Sequence, residues 1–185
     1  MLDNIIKEEL KIQKILPILN TSELSIDIKR LELLLSKNPN INNIEVTLRK
    51  HDSLEIAIKL KKRFTDINFG LGSILSEKDY TKGIDAGFNF FVSPGIIKDL
   101  VTSKVKNYIP GAETISEFIF LLNNDYKIIK FFPSNLAGGE NKLIAVENIV
   151  KEAMFIPTGG INLKNYMNFI SLKNVLCVGM SKFDE

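Results

Sequence analysis

The chain has 185 residues, 45% hydrophobic and 25% charged, and 24 Lys and Arg against 22 Asp and Glu leave a net charge of +2. These values exclude disorder and fibrous repeats, and the near-neutral charge gives no electrostatic reason to invoke nucleic acid or an anionic membrane. One cysteine, Cys177, and one histidine, His51, exclude an intramolecular disulfide and leave little material for a zinc site or a Ser-His-Asp triad. The amino terminus has no signal-peptide pattern, and no apolar run approaches the roughly 20 residues of a membrane helix. The expectation is a soluble, cytoplasmic protein with one domain over residues 1–185.

In chain order, residues 2–14 read as a helix before the first strand, and 15–19 as that strand. Residues 22–36 repeat Leu and Ile at helical spacing and stop at Asn38-Pro39. A strand at 41–48 leads to Asp52 and Glu55, a capping box opening a helix toward Arg63. A strand at 67–72 precedes Ser76 with Asp79, which repeat that capping logic, and a strand at 88–93 follows. Residues 105–111 form the next strand, before the Thr114–Glu117 capping box. The last strands are 126–132, 153–159 and 174–179, with Asn162 as the cap of a helix ending near Ser171.

Such alternation allows an open doubly wound sheet or a closed (β/α)8 TIM barrel. Eight strands favour the barrel, at about 23 residues per unit, which is compact for that fold. Several strands are apolar almost throughout, as expected where both faces are covered. The barrel would carry an extra amino-terminal helix and lack the carboxyl-terminal eighth helix. The outward half of 175–178 then needs a cover, either the amino-terminal helix, with Ile5, Ile6, Leu10 and Ile12, or a neighbouring subunit. No linker or charge block marks a domain boundary.

Reactive groups in this architecture lie at the carboxyl ends of the strands. Polar residues that interrupt apolar strands there carry the information. Lys130 is one. Alternation places Ile128, Lys130 and Phe132 on one face and Ile129 and Phe131 on the other. An enclosed lysine loses hydration, which favours the neutral amine, a Schiff-base nucleophile toward a carbonyl. The alternative is a lysine that snorkels past the strand end. Glu45 is the second, sharing a face with Thr47 and Arg49. Three inward polar side chains are costly unless they bind something. An enclosed carboxyl suits general acid–base work, and Arg49 suits recognition of a substrate carboxylate. A private Glu45–Arg49 ion pair is the alternative. A third feature is Pro157-Thr-Gly-Gly160, whose glycines let backbone N–H groups approach an anion, followed by Ser181 and Lys182 after the last strand. Cys177 reads as a small core residue and His51 as a solvated loop residue.

Together, Glu45-Val-Thr-Leu-Arg49, Gly70-Leu-Gly-Ser73, Ser93-Pro-Gly95, Lys130-Phe-Phe-Pro133, Pro157-Thr-Gly-Gly160 and Val175-Leu-Cys-Val-Gly179 resemble the class I KDPG/KHG aldolase family. The motifs are collinear over nearly the whole chain. The resemblance implies a (β/α)8 homotrimer that needs no metal or other cofactor. It also implies cleavage of 2-keto-3-deoxy-6-phosphogluconate to pyruvate and glyceraldehyde 3-phosphate, with 4-hydroxy-2-oxoglutarate as a further substrate. Lys130 matches the Schiff-base lysine and Glu45 the general acid/base, while Arg49 and Ser73 match positions that hold the pyruvate carboxylate. Pro94 and Phe132 would line the pyruvyl pocket, Thr158 would contact the substrate, and Gly159, Gly160 and Ser181 would hold its phosphate end. The partner implied is thus a small 2-oxo acid, with no nucleic acid and no membrane. Leu71 and Ser73 depart from the family's Gly-Ala-Gly-Thr, Glu113 brings an acid to the mouth, and Met180 replaces a common glycine beside the phosphate. A non-catalytic 2-oxo-acid-binding protein, or a decayed barrel, is the alternative reading.

Overall fold

The computed structural model describes residues 2–183; Met1, Asp184 and Glu185, the outermost residues of the expected domain, lie outside the described residues. Helix α1 (Asn4–Gln13) precedes strand β1 (Ile15–Asn20), and βα units follow: α2 (Leu24–Lys37), β2 (Asn43–Thr47), α3 (Ser53–Arg63), β3 (Asn68–Gly72), α4 (Glu77–Asp85), β4 (Phe90–Val92) and α5 (Lys98–Thr102). The chain continues with β5 (Tyr108–Ile109), β6 (Gly111–Ala112), α6 (Ile115–Asn123), β7 (Ile128–Phe131), α7 (Gly139–Val146), β8 (Met154–Pro157), α8 (Tyr166–Ile170) and β9 (Val178–Met180). Every strand falls within one residue of its predicted run. The predicted strand at 105–111 is divided in two by Pro110, which has no N–H to give a ladder.

The strands form two wholly parallel sheets, β5-β4-β3-β2-β1-β9 and β6-β7-β8. These sheets touch between β8 and the segment of β9, where Phe155 pairs with Val175 and Thr158 with Gly179. They also touch across Pro110, whose carbonyl accepts from Lys130 N at 2.9 Å. Alternating side chains then divide the core. One cluster, with Ile44, Val46, Leu71, Ile129, Phe131 and Phe155, lies between strands and helices. A smaller one gathers Leu16, Phe90, Ile109, Ile156 and Cys177 with Ile6 and Leu10 of α1.

Two expected caps hold. Ser76 Oγ accepts from Asp79 N, and the reciprocal Thr114–Glu117 capping box is complete. Two do not. Asp52 has helical backbone angles (φ −92°, ψ −1°) and makes no side-chain cap, while Glu55 pairs instead with Lys59 one turn on at 2.6 Å. Asn162 does not cap α8; its Oδ1 accepts from Lys164 N in a turn, and Asn165 is the residue before the helix. Helices α5 and α7 start at Ile97 and Gly138 without a side-chain cap, which is why no capping signal marks them in the sequence.

The expected cover of the last strand is also corrected. Residues 175–178 are all buried within one copy, so no apolar face is left open there. Val175, Val178 and Met180 join the outer core, and Phe183 folds back into it under the Arg30 guanidinium, 5.5 Å from the ring centroid. Helix α1 meets only the inner half of that run, Leu176 and Cys177. Its Ile6 and Leu10 are buried in the inner cluster, while Ile5 and Ile12 are exposed. Gln13 and Glu9 reach Asn43 and Asn68, the first residues of β2 and β3, so α1 stoppers the amino-terminal end of the strands.

Candidate active site

At the opposite end, the strand faces predicted for Lys130 and Glu45 converge. Glu45 is 1% exposed and stands in register with Ile18 of β1 and Gly70 of β3. A Cβ at residue 72 would lie 2.0 Å from Glu45 Oε1, so glycine is what leaves room for the carboxylate. Lys130 Nζ donates to Glu45 Oε1 at 3.1 Å and to Oε2 at 3.3 Å. The lysine is only 6% exposed, and the Phe132 ring lies 5.6 Å from Nζ. It therefore does not snorkel. Desolvating such a pair costs about several kcal/mol per ion, and apolar residues could fill the same space, which makes a chemical use the better account.

Arg49 does not pair with Glu45. Its Nε donates to Ser73 Oγ at 3.4 Å, and Ser73 holds left-handed backbone (φ 58°). The rest of the planar donor fork has no partner among the described residues, an arrangement suited to a carboxylate.

Beside them opens a cavity of about 210 Å³. Arg49, Lys130 and Phe132 line one part, and Thr158, Gly159, Gly160 and Ser181 another. Gly159 and Gly160 both hold left-handed backbone (φ 100° and 74°), the turn directly after β8. The carbonyls of residues 158, 159 and 160 accept from Ser134 N, Asn135 N and Asn165 Nδ2. The Gly159 N–H faces Gly179 in the Thr158–Gly179 bridge, whereas the Gly160 N–H has no partner among the described residues and can meet an anion.

Ser73 and Pro94 do not line the cavity. Ser73 reaches it through Arg49, while Pro94 sits in the turn after β4, which the buried Ser93 hydroxyl holds by meeting Tyr108 Oη at 2.6 Å. Asn20, Ile18, Ile161 and Gly179 complete the wall and were not anticipated. Asn20 carried a readable signal, being a polar residue that ends an apolar strand. Leu71 and Met180, the bulky departures, both point into the outer core, so neither crowds the cavity. Glu113 is exposed. Cys177 is fully buried, and burial together with the Glu45 charge pushes its thiol far up, away from nucleophilic use. His51 lies exposed in the turn after β2.

Residues 6–185 match the family model described as KDPG and KHG aldolase. The KHG/KDPG aldolase of Escherichia coli (strain K12) is 33% identical over 141 residues, which are 75% of this chain and 66% of that protein. The chain thus spans just under two thirds of that relative's length. The 2-dehydro-3-deoxy-phosphogluconate aldolase of Pseudoalteromonas atlantica is 34% identical over 144 residues, 76% of this chain and 67% of that protein. Among solved structures, KDPG aldolase from Legionella pneumophila, with pyruvate captured as a covalent carbinolamine intermediate, aligns with a TM-score of 0.87 at 32% identity. That alignment covers 94% of this chain and 84% of the other.

Proposed function

Because the chain belongs to the KDPG and KHG aldolase family, we propose that it is a Schiff-base aldolase. In this reading it cleaves 2-keto-3-deoxy-6-phosphogluconate to pyruvate and glyceraldehyde 3-phosphate, and accepts 4-hydroxy-2-oxoglutarate as a second substrate. The observation that carries it is the Lys130–Glu45 pair, 3.1 Å apart and buried beside an open guanidinium fork. The carbinolamine held by the Legionella pneumophila relative supports the same chemistry.

The pair resolves a difficulty. A carboxylate beside lysine favours the unreactive ammonium, yet moving one proton across that gap yields the neutral amine and the acid together. Lys130 Nζ then attacks the C2 ketone, and Glu45 returns the proton to the departing hydroxyl, which leaves as water. The resulting iminium withdraws the electron pair of the C3–C4 bond. Glu45 takes the proton of the C4 hydroxyl as that bond breaks, the aldehyde leaves, and an enamine remains. Protonation at C3 by Glu45 and hydrolysis release pyruvate. Arg49, oriented by Ser73, would hold the carboxylate, and Phe132 would shape the pyruvyl side. Thr158 would contact the substrate, with the phosphate at the Gly159–Gly160 turn and Ser181.

The same reading treats residues 1–185 as one unit whose two sheets close into a (β/α)8 barrel, in keeping with their contacts at β8–β9 and across Pro110. It includes a cytoplasmic homotrimer. Leu75 and Leu136, 69% and 81% exposed in one copy, are among the apolar side chains available for a neighbouring copy to cover, and light scattering tests the mass. Incubation with pyruvate and borohydride, read by mass spectrometry, tests the chemistry. A covalent adduct on Lys130, lost in Lys130→Ala, is expected. Equal labelling of the variant would overturn the assignment of Lys130, and no adduct at all would leave a 2-oxo-acid-binding protein without catalysis.

A further inference from the structure

The cavity wall holds one polar side chain that the chemistry above leaves unused, Asn20 at the carboxyl end of β1. Its backbone is pinned. Asn20 stands opposite Thr47 of β2, and on the other edge Pro17 stands opposite Met180 of β9. Asn20 therefore lies between the strand that continues to Arg49 and the strand that continues to Ser181. Just beyond it, the buried Thr21 hydroxyl meets Ser53 Oγ at 2.7 Å, and Ser22 donates from both N–H and hydroxyl to Asp27.

The amide is oriented as well. Thr47, 1% exposed, donates its hydroxyl to Asn20 Oδ1 at 2.9 Å, with the Leu19 carbonyl more distant at 3.5 Å. This uses the acceptor end of the amide. Nδ2, with its two protons, has no partner among the described residues and is the end left for the cavity.

We propose that Asn20 Nδ2 donates a hydrogen bond to the C5 hydroxyl of the substrate, on the aldehyde-derived half, and so gives the enzyme a preference for 2-hydroxyaldehydes. The inference rests on the aldolase reading. A substrate held by its carboxylate at Arg49 and its phosphate near Ser181 passes the wall between those strands, which is where Asn20 stands. The C4 oxygen is committed to the proton exchanged with Glu45, so the adjacent hydroxyl is the group left to recognise. A neutral amide marks it without introducing a competing acid or base.

The test runs the reaction toward bond formation, with pyruvate and either glyceraldehyde 3-phosphate or 3-phosphooxypropanal, which lacks the 2-hydroxyl. The wild-type chain is expected to favour the hydroxylated aldehyde in kcat/KM by about 10-fold, the upper range for one neutral hydrogen bond. Asn20→Leu and Asn20→Ala should both bring that ratio close to one. Neither replacement supplies a donor or an acceptor and the two differ in bulk, so agreement between them separates recognition from local packing. Pyruvate trapping on Lys130, which involves only the other half of the substrate, should proceed in both. A preference retained in the variants, or absent from the wild type, overturns the proposal. Failure of the wild type to trap pyruvate would overturn the aldolase reading and this inference with it.

Discussion

Polar side chains gather at both ends of the strands, buried under α1 and exposed to the cavity at the other end, and the two ends treat them differently. At the α1 end, Gln13 Nε2 donates to the Ile15 and Asn43 carbonyls, while its Oε1 accepts from Asn42 N, Asn43 N and Asn43 Nδ2. Glu9 Oε2 accepts from Asn43 Nδ2 and Asn68 Nδ2 at 3.0 and 2.9 Å. Protein thus meets nearly all of that demand, and the network serves as a stopper. At the other end, Arg49, Asn20 Nδ2 and the Gly160 N–H group have capacity left over, all around one cavity. The polar groups buried under α1 are met mostly by protein and serve structure, whereas those exposed around the cavity are held in place with donors free for a ligand.

If that division is right, substitutions at the two ends separate chemistry from stability. The largest effect is expected from Glu45→Gln, which keeps the shape of the pocket but removes proton transfer. Turnover should fall about 10²–10⁴-fold while thermal unfolding changes little by comparison; unchanged turnover would assign the proton shuttle elsewhere. Leu10→Ala opens a hole beneath the inner core and should cost about 2–5 kcal/mol in urea unfolding. Below its melting range this variant should still trap pyruvate, and loss of trapping in folded protein would break the comparison.

Arg49→Ala comes next. Losing charge-assisted hydrogen bonds to a carboxylate should raise KM for the 2-oxo acid about 10–100-fold, with stability within about 0.5 kcal/mol of the wild type because the side chain is exposed. The smallest effect sharpens the α1 side. Tyr126, which donates to the Leu100 and Val105 carbonyls, has its hydroxyl pushed up to about 12 by burial and, less, by Tyr108 and Tyr80. The unfolded chain ionises this group near its ordinary value of 10 while the folded chain keeps the proton. Its contribution is therefore complete below pH 10 and lost as pH rises toward 12. Urea midpoints should decline less steeply over that interval in Tyr126→Phe.

Much of this was legible in the residues because strand alternation is a local rule. Once 126–132 and 41–48 read as strands, Lys130 had to share a face with Ile128, and Glu45 with Thr47 and Arg49. The capping boxes show where local reading stops. Thr114–Glu117 and Asp52–Glu55 look alike in sequence, yet only the first closes, because Asp52 sits on helical backbone and Glu55 has a better partner in Lys59. Asn20 was missed although it met the criterion that singled out Lys130. Its polarity falls at a strand end, where it also reads as the start of a turn, and only the register with Thr47 shows which way its amide faces.

The sequence by itself determined the order of strands and helices, the faces that carry Lys130, Glu45 and Arg49, and the glycine turn at 159–160, since each depends on neighbours a few residues apart. Tertiary structure alone decided that Lys130 pairs with Glu45 across 85 positions while Arg49 turns to Ser73. It also decided that α1 stoppers the strands and meets only Leu176 and Cys177 of the last run, while Phe183 folds back into the outer core. The physical reason is that hydrophobic periodicity says a face must be buried without saying against what. The partner is chosen by which surfaces the closing sheets bring together, and by which buried donors and acceptors can then be met.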